Sequence, residues 1–375
     1  MLSEIYNKIW IKAFYSDTLR KMYLWTLKHR PLRFLPYPTA IELEPTTFCN
    51  LRCRICENPI FSKRHRRNMT LEEFKYIIDQ FPNLKWCGAT GIGEQWLNPD
   101  FGEMLKYAKS KKIFIEAYDN FVFFDEDRIK EVLKYDLYDR LYFSIDAATK
   151  ETYEKIRVGA KWEVVINNFK TFIELKEKFN KKKPKLDFHF VVCSLNLNEL
   201  PEFIKLVGTE LRPKGRFAVH FVKILHKFDW VKDIYVDHVP QDIIQKTEEM
   251  AKKYNVYVQW EANIIAPQAK HAWRRELPPI KNCYAWMSPF IFVDGNVMPC
   301  CTMNEGGWRD RQIQLSMGNI FEKPFKEIWY GPRYMQLKRM IRANLTPPYC
   351  VGCPFYYAPP TPKEIADKFL PKEIK

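Results

Sequence analysis

The feature that most constrains this chain is a compact group of three cysteines near its start. Cys49, Cys53 and Cys56 lie within eight residues, separated by three and then by two residues. They follow a short alternating run at 41–44 and the breaker Pro45, so the pattern predicts a β-strand that ends in a tightly closing loop. A structural zinc site needs four ligands, whereas three thiolates suit a 4Fe–4S cluster with one iron open to a small chelating molecule. The loop is therefore predicted to be a catalytic centre.

Composition narrows the class of protein that can carry this loop. The 375 residues, 46% of them hydrophobic and 15% aromatic, predict one large globular domain with an accessory one. The sequence has no apolar run of about 18 residues, and Glu4 and Lys8 interrupt the N-terminal apolar residues that a signal peptide would need. Ten cysteines without an export signal indicate a reducing compartment, where thiols bind metal more often than they form disulfides. We therefore expect a cytoplasmic protein.

The chain is strongly basic, with a net charge of +15 from 60 basic and 45 acidic residues. Two basic runs, at residues 63–67 and 181–185, fall in predicted loops without interleaved aromatic residues. Because nucleic-acid tracks usually combine basic and aromatic side chains, we interpret both runs as solvated surface and expect no nucleic-acid partner.

Residues 1–37 are predicted to form a separate helical extension. Apolar residues fall on one helical face over residues 5–14, and Asp17 is a candidate cap for a second helix that ends near Pro31. The first 35 residues carry seven basic and two acidic side chains, so this amphipathic hairpin either packs on the next domain or lies on a membrane surface. Packing on the protein is the simpler interpretation, and peripheral membrane contact stays open.

Residues 38–225 alternate between strand-like and helix-like patterns. Thr70 and Glu73 have the spacing of a capping box that opens the first helix. Six βα units predict a parallel sheet with helices outside it, and six are too few for a closed eight-stranded barrel. We therefore predict an α/β fold, a partial (β/α)6 TIM-like barrel with its active-site groups at the C-terminal ends of the strands. The predicted strands cover residues 41–44, 85–90, 113–118, 141–145, 185–193 and 217–224.

The rest of the chain divides into three further segments. Residues 226–282 carry a predicted helix at 240–254 and a predicted strand at 256–260, and we interpret them as a connection. Residues 283–357 contain five cysteines and are predicted to form a cysteine-rich C-terminal auxiliary-cluster domain. The tail at 358–375 is rich in proline and lysine, so we expect it to be loosely held.

The cysteine loop, placed after the first strand of a βα series, resembles that of radical S-adenosylmethionine (SAM) enzymes. The resemblance covers roughly residues 38–357. It implies that Cys49, Cys53 and Cys56 hold a 4Fe–4S cluster whose fourth iron is chelated by the amino and carboxylate groups of SAM. In that family the cluster cleaves SAM to methionine and a 5′-deoxyadenosyl radical, which abstracts a substrate hydrogen. Ile55 corresponds to the apolar residue that lies against the adenine.

Two further motifs match the SAM-binding parts of this family. The Gly-Ile-Gly-Glu turn stands where the family has a Gly-Gly-Glu-type turn that receives the SAM ammonium, and the fourth strand end stands where the family contacts the ribose and the SAM carboxylate. The residues by themselves leave a second interpretation open, in which Asp146 caps a helix and Arg157 lies on the surface. The resemblance implies SAM contacts by six residues, Gly91, Gly93, Glu94, Ser144, Asp146 and Arg157.

The C-terminal domain carries a second candidate ligand set. Its members are Cys283, Cys300, Cys350 and Cys353. With Gly295 five residues before Cys300 in a predicted hairpin, the pattern resembles the SPASM/twitch type of auxiliary-cluster region. Full SPASM domains have seven cysteines and this stretch has five, so the resemblance implies one auxiliary 4Fe–4S cluster. Two alternatives stay open: Cys301 replaces Cys300 as a ligand, or the four thiolates bind zinc.

Four other reactive side chains fall within predicted strands. Cys87 and Cys193 are predicted to be core thiols. His189 and His220 are interpreted as hydrogen-bonded core residues, with a cavity-facing base as the alternative. The catalytic acid or base is therefore left unassigned.

Together these features predict a radical SAM oxidoreductase in which the auxiliary cluster accepts an electron during a dehydrogenation or a cross-link. The implied partners are a reductase, ferredoxin or flavodoxin as electron donor and a small-molecule, lipid-linked or peptide substrate. Because the N-terminal extension is too short for a separate peptide-recognition domain, a small-molecule or lipid-linked substrate is favoured. The competing hypothesis is a noncatalytic zinc-binding scaffold docked to a membrane surface, which iron and sulfide analysis would distinguish.

Overall fold

The computed structural model describes most of the chain. It covers residues 35–224, 229–261, 264–265, 279–283, 285–301, 309–351, 353, 355–356 and 360–369, with seven single positions between residues 16 and 31. The helical extension predicted over residues 1–37 therefore lies almost entirely outside the described residues. No helix of the described part combines the length and the apolar composition that crossing a bilayer requires.

Nine β-strands lie within the described residues. They are β1 (Ala40–Leu43), β2 (Trp86–Ala89), β3 (Phe114–Asp119), β4 (Arg140–Ser144), β5 (Lys185–Val192), β6 (Ala218–Lys223), β7 (Tyr257–Trp260), β8 (Phe290–Ile291) and β9 (Val297–Met298). They form one sheet in the order β7-β6-β5-β4-β3-β2-β1-β8-β9, with β7 and β9 at its edges. The pairs from β7 through β8 are parallel, and β9 runs antiparallel to β8.

Helices follow the strands as the alternating pattern predicts. The core helices are α1 (Leu71–Asp79), α2 (Phe101–Ser110), α3 (Glu126–Lys134), α4 (Lys150–Ile156), α5 (Trp162–Lys178), α6 (Leu200–Thr209) and α7 (Gln241–Tyr254). The later helices are α8 (Arg309–Leu315), α9 (Phe325–Trp329), α10 (Pro332–Arg342) and α11 (Lys363–Ala366). The predicted capping box opens α1, because Glu73 N donates to the Thr70 hydroxyl at 3.1 Å and Thr70 N donates to the Glu73 carboxylate at 2.9 Å.

The predicted partial barrel is confirmed, and its sheet is longer than the six predicted strands. β7 comes from the segment interpreted as a connection and pairs with β6. On the other side β8 of the C-terminal domain pairs with β1, with Glu42 opposite Phe290. Local periodicity identifies a strand but not its distant partner. The sequence pattern therefore predicted the segments that form β7 and β8 but did not predict which strands they pair with.

The two faces of the sheet differ in polarity. On the outer face Phe143 of β4 stacks on Phe169 of α5, with ring centroids 4.4 Å apart, within the main apolar core. The preceding residue, Tyr142, points to the opposite face and stacks on Tyr118 of β3, with centroids 4.5 Å apart. Because successive side chains of a strand alternate between faces, the helices cover an apolar face and the barrel interior is polar and aromatic.

The C-terminal domain is joined to the core by a buried ion pair as well as by the sheet. Arg309 of α8 donates to both carboxylate oxygens of Glu44, which follows β1, at 2.8 and 2.9 Å. Both side chains are almost inaccessible to solvent. Breaking such a pair leaves an uncompensated buried charge, so the contact strongly favours one placement of the domain on the core.

The tail is more ordered than predicted where the structure describes it. Ala366 of α11 is buried, and its carbonyl accepts a hydrogen bond from Gln336 of α10 at 3.0 Å. The expectation of a loosely held tail is therefore wrong for α11, which packs on α10 through the buried Ala366 and its hydrogen bond.

Candidate functional site

The three-cysteine loop follows β1 at the C-terminal ends of the core strands. Its backbone is held by the C-terminal end of α4 and the residues that follow that helix. Arg52 N donates to Val158 O, and Arg54 N donates to Ile156 O, both at 2.8 Å. These bonds fix the loop against a part of the chain about a hundred residues away.

Backbone amides point at two of the three sulfur atoms of the loop. Leu51 N donates to Cys49 Sγ at 3.4 Å, and Asn58 N donates to Cys56 Sγ at 3.3 Å. Burial raises the pKa of both thiols, and these hydrogen bonds act in the opposite direction, toward the thiolate form that binds iron. The two amides therefore offset part of the cost of ionising the buried thiols.

The side chains of Asn58 and Arg66 donate hydrogen bonds to backbone carbonyl groups beside the cysteine loop. The sequence analysis predicted neither residue. The Asn58 amide nitrogen donates to Thr47 O at 3.1 Å and to Ile92 O at 2.7 Å. The Arg66 guanidinium donates to Asn58 O at 2.6 Å and also to Thr47 O, and its charge lies close to two of the loop cysteines. The interpretation of the basic run at 63–67 as solvated surface is therefore wrong for Arg66, because its guanidinium donates hydrogen bonds to the carbonyl groups of buried residues.

Arg157 and Asp146 form a buried ion pair beside Cys53. Arg157 Nε donates to Asp146 Oδ2 at 2.6 Å, and Val191 N donates to Asp146 Oδ1 at 2.7 Å. Burial raises the pKa of the Cys53 thiol to about 12, while the Arg157 charge acts in the opposite direction. The alternative of a capping Asp146 and a surface Arg157 is wrong, because Thr149 caps α4 and Arg157 is 8% exposed.

The Gly-Ile-Gly-Glu turn packs directly against the cysteine loop. Glu94 N donates to Phe48 O at 2.7 Å. A Cβ atom on Gly93 would lie 2.3 Å from Thr46 O, and Gly91 adopts φ +143°, so both positions require glycine. The structure thus brings the predicted turn and the predicted cluster loop together.

Glu94 lies in a buried carboxylate pair with Asp119, which ends β3 and which sequence reasoning also missed. Glu94 Oε2 accepts from Asn120 N at 3.3 Å, whereas Glu94 Oε1 and Asp119 Oδ2 are buried without a hydrogen-bond partner. Burial, followed by the Asp119 charge, raises the pKa of Glu94 well above its ordinary value. A cation at these oxygens would stabilise the ionised pair, and the SAM ammonium group is such a cation. The donor set therefore fits SAM.

Ser144 and Ile55 lie at the same end of the barrel. Ser144 is the last residue of β4, is 9% exposed and stands opposite His189 of β5. Ile55 is half-buried and packs on a small apolar cluster that includes Cys193. Cys193 and Cys87 are both buried among apolar side chains, as predicted.

Two histidines line the barrel interior beside the tyrosine stack. The His189 ring lies 4.9 Å from the Tyr118 ring, and the His220 ring lies 5.1 Å from the Tyr142 ring, both edge-on. Burial lowers the pKa of His189 to about 3 and that of His220 to about 4. Both rings are therefore neutral at physiological pH and are weak proton acceptors.

The four predicted cysteines of the C-terminal domain come together from three segments of the chain. Burial, followed by the charges of Cys300 and Cys353, raises the pKa of Cys283 to about 12. The pKa of Cys350 is raised by burial and then by the charges of the other three thiols. The four thiols therefore lie close enough to influence one another's pKa.

Cys301 has different surroundings from Cys300. Burial, followed by the charges of Glu42 on β1 and of Cys300, raises the pKa of the Cys301 thiol well above its ordinary value. The charge of Cys301 also reaches Tyr118 of β3. Cys300, by contrast, raises the pKa of both Cys283 and Cys350. These surroundings favour Cys300 as the ligand.

Neither cysteine set has the geometry of a site for a single ion. Within the described ranges, no three His, Cys, Asp or Glu side chains converge as the ligands of one metal ion do. In a 4Fe–4S cube each thiolate binds a different iron, so the ligands surround a volume rather than a point.

Two family models match the chain. The model described as the radical SAM superfamily matches residues 43–207, which include the cysteine loop, the Gly-Ile-Gly-Glu turn and Arg157. The SPASM model, described as an iron–sulfur cluster-binding domain, matches residues 283–354, which include the second cysteine set. The second match supports an iron–sulfur cluster over the zinc alternative.

Three known proteins illustrate the similarity. The tungsten-containing aldehyde ferredoxin oxidoreductase cofactor-modifying protein of Pyrococcus furiosus is 26% identical over 84% of this chain and 86% of its own length. The AdoMet-dependent heme synthase of Methanosarcina barkeri is 25% identical over 78% of this chain and 82% of its own length. The crystal structure of Streptococcus suis SuiB bound to precursor peptide SuiA matches with a TM-score of 0.64 and 17% identity, over 90% of this chain and 74% of that one.

The fold and the two family matches agree on both halves of the molecule. The core binds SAM and a 4Fe–4S cluster, and the C-terminal domain binds auxiliary iron–sulfur. This chain belongs to the radical SAM superfamily, as a member with a C-terminal SPASM domain.

Proposed function

We propose that the chain is a radical SAM oxidoreductase that uses one auxiliary 4Fe–4S cluster as electron acceptor in a dehydrogenation or a cross-link. The observation that carries this proposal is that the domain with the second cysteine set extends the core sheet directly beside the first set. Strand β8 of that domain pairs with β1, the strand that leads into the cysteine loop. When bound, SAM and its cluster supply a 5′-deoxyadenosyl radical that abstracts a hydrogen atom from a substrate.

The two cysteine sets have different proposed roles because they offer different numbers of ligands. Three thiolates, from Cys49, Cys53 and Cys56, leave one iron open for SAM. The four thiolates of the C-terminal set leave no iron open, so that cluster exchanges electrons and does not bind substrate. The C-terminal ligands in this proposal are Cys283, Cys300, Cys350 and Cys353.

The residues around the loop are proposed to hold SAM. The unpartnered Glu94 oxygen accepts the ammonium group, and the two glycines let the backbone approach it. Arg157, held by Asp146, binds the carboxylate. Ser144 contacts the ribose and Ile55 packs on the adenine, as the family resemblance implies.

The substrate and the electron donor belong to the proposal as well. The Pyrococcus furiosus relative is named for a cofactor, and the SuiB structure contains a precursor peptide. We propose a small-molecule, lipid-linked or peptide substrate that enters the barrel interior beside the tyrosine stack. A ferredoxin, a flavodoxin or a reductase supplies the electron that starts the reaction.

A cytoplasmic location with peripheral membrane contact through residues 1–37 also stays a proposal, motivated by the basic and aromatic composition of that extension. Co-sedimentation with anionic liposomes tests it. Equal binding by the full chain and by a chain that starts at residue 36 would contradict it.

The catalytic proposal is tested by the formation of 5′-deoxyadenosine from SAM under strong reduction in anaerobically reconstituted protein. Cys53→Ala removes a cluster ligand and should abolish the product. Cys87→Ala is the matched control, because Cys87 is a buried thiol of β2 outside both sets, and it should retain product formation. A protein with both clusters assembled that forms no 5′-deoxyadenosine, or one that binds zinc with little iron, would contradict the proposal.

A further inference from the structure

Glu44 is a fully buried carboxylate directly after β1, where the core meets the C-terminal domain. Groups of that domain donate hydrogen bonds to it. Arg309 of α8 donates to both of its oxygens, at 2.8 and 2.9 Å, and Val293 N donates to Oε2 at 3.3 Å. On the core side Ile92 N donates to Oε1 at 3.5 Å. One carboxylate thus joins the C-terminal domain to the Gly-Ile-Gly-Glu turn.

The Gly-Ile-Gly-Glu turn also packs on the side chain of Glu44. A Cβ atom on Gly91 would lie 2.6 Å from Glu44 Cγ, so the backbone of Gly91 lies directly on that side chain. The Ile92 carbonyl is held in addition by the Asn58 amide nitrogen at 2.7 Å. Two residues later, Glu94 supplies the oxygen that is proposed to accept the SAM ammonium group. A shift of Glu44 would therefore move the turn that presents Glu94.

The guanidinium of Arg309 is held by two aromatic rings. Its Cζ atom lies 3.8 Å from the ring centroid of Phe292 and 5.2 Å from that of Phe61. Arg66, which supports the cysteine loop, places its own Cζ 5.0 Å from the Phe61 centroid. Cation–π contacts of this kind stabilise a buried guanidinium in one position. The position of Glu44 therefore depends on a fixed group of the C-terminal domain.

We propose that Arg309 is a positioning residue for SAM, because it holds Glu44 and Glu44 seats the Gly-Ile-Gly-Glu turn. This inference rests on the proposed function. The C-terminal domain then contributes to SAM affinity, although the proposed SAM contacts all belong to the core. Coupling between two sites is reciprocal, so SAM binding should in turn stabilise the docked C-terminal domain.

Positioning and charge predict opposite results when Arg309 is removed. Its loss leaves the buried Glu44 charge without a cation, and a less compensated carboxylate attracts an ammonium group more strongly. A purely electrostatic role would therefore tighten SAM binding. A positioning role predicts weaker binding, because the turn that presents Glu94 loses its support.

The first test is calorimetric titration of the anaerobically reconstituted full-length protein with SAM. Arg309→Met should weaken SAM affinity by about 5- to 150-fold, the usual range of coupling between two sites. Arg309→Lys keeps a cation beside Glu44 and should recover part of this loss. Asp310→Asn is the matched control, because Asp310 is the next residue of α8 and pairs with Arg64 and His65 of the core. It should change SAM affinity by less than about twofold.

The second test uses the unaltered protein. Because Val293 N and Ile92 N both donate to Glu44, hydrogen exchange followed by mass spectrometry reports on this carboxylate from both domains. SAM should slow exchange in the peptide that contains Val293, although this residue belongs to the C-terminal domain. The control ligand is 5′-deoxyadenosine, which lacks the amino and carboxylate groups of SAM and should leave that exchange unchanged.

Each outcome decides a separate question. Weaker SAM binding in Arg309→Met, with affinity retained in Asp310→Asn, supports the proposal. Unchanged or tighter binding in Arg309→Met overturns it, and so does an equal loss in Asp310→Asn. If Arg309→Met fails to assemble its C-terminal domain, the exchange test decides, and exchange at Val293 that ignores SAM overturns the proposal. If the unaltered protein assembles its core cluster and binds no SAM, the proposed function fails rather than this inference alone.

Discussion

The two cysteine sets differ in how far the polypeptide forms the site without a metal. The first spans eight residues, and Asn58, Arg66 and the segment around Arg157 hold its backbone. The second gathers thiols from three segments between Cys283 and Cys353. Closing a long loop costs more conformational entropy than closing a short one, so a bound cluster contributes more to the fold at the second site.

The sets also differ in the proposed number of ligands, and this difference separates their proposed chemistry. In the proposed assignment, three ligands leave an open iron beside the Glu94 oxygen that has no partner, whereas four ligands close the second cluster. The first cluster is therefore proposed to bind SAM, and the second is proposed to exchange electrons.

The largest expected effect concerns how strongly the folding of each site depends on its bound cluster. Cys350→Ala with Cys353→Ala should remove about half of about eight irons and make the C-terminal domain sensitive to proteolysis. Cys49→Ala with Cys53→Ala should remove a similar amount of iron with little change in the proteolysis of the core. Iron analysis and limited proteolysis measure both effects. Equal proteolysis of the two double variants would contradict the comparison.

The buried ion pair between Arg157 and Asp146 beside the first cysteine set predicts a large loss of stability when the Arg157 side chain is removed. Arg157→Ala leaves the buried Asp146 carboxylate without its cation, which should lower the free energy of unfolding by about 3–5 kcal/mol. Lys155→Ala removes an exposed cation of α4, two residues before Arg157, and should change it by less than about 0.5 kcal/mol. Denaturant titration of the two variants measures the difference, and similar values would show that the ion pair does not brace the loop.

The close approach of the glycine turn predicts a smaller, local effect. Gly93→Ala places a methyl group against Thr46 O, so the turn must shift at a cost of about 1–3 kcal/mol, which is roughly a 10- to 100-fold loss of SAM affinity. Gly102→Ala, on α2, meets its neighbours at 3.6 Å and should leave SAM affinity unchanged. Calorimetric titration with SAM compares them. Unchanged affinity in Gly93→Ala would place the SAM site elsewhere.

The neutral histidines of the interior predict the smallest effect. The folded-state pKa of His220, about 4, lies below its unfolded value, so its contribution to stability is complete above the unfolded pKa and is lost as the pH falls. From about pH 6.5 to about pH 5.5 the wild type should lose about 1 kcal/mol relative to His220→Asn. The exposed His238→Asn is the control and should show no such difference. The comparison with a variant is needed because burial raises the pKa of Glu42, which changes stability with pH in the opposite direction.

The elements of the core could be predicted because their signals are local. Three of these signals act over only a few residues: the capping box of Thr70 and Glu73, the alternation of apolar residues and the spacing of the cysteines. Each predicted core strand lies within a few residues of its expected position. The family motifs likewise identified the cysteine loop and the glycine turn, and these two segments are in contact in the structure.

The remaining features depend on contacts between distant segments. The local sequence around β8 does not indicate that this strand pairs with β1. The local sequence around Arg66 likewise does not indicate that its guanidinium donates to backbone carbonyl groups beside the cysteine loop. Asp119 could have been suspected, since it ends a core strand where active-site groups gather. The different surroundings of Cys300 and Cys301 follow from the packing of the whole C-terminal domain, so no local pattern separates the two residues.

The difference between an open and a closed cluster is measured most directly by electron paramagnetic resonance of the reduced protein, with and without SAM. In the double variant Cys350→Ala with Cys353→Ala, which keeps the core cluster, SAM should change the spectrum because it binds the open iron. In the double variant Cys49→Ala with Cys53→Ala, which keeps the C-terminal cluster, SAM should leave the spectrum unchanged. A spectrum of the core cluster that ignores SAM, or a C-terminal cluster that responds to it, would contradict the assignment of the two sites.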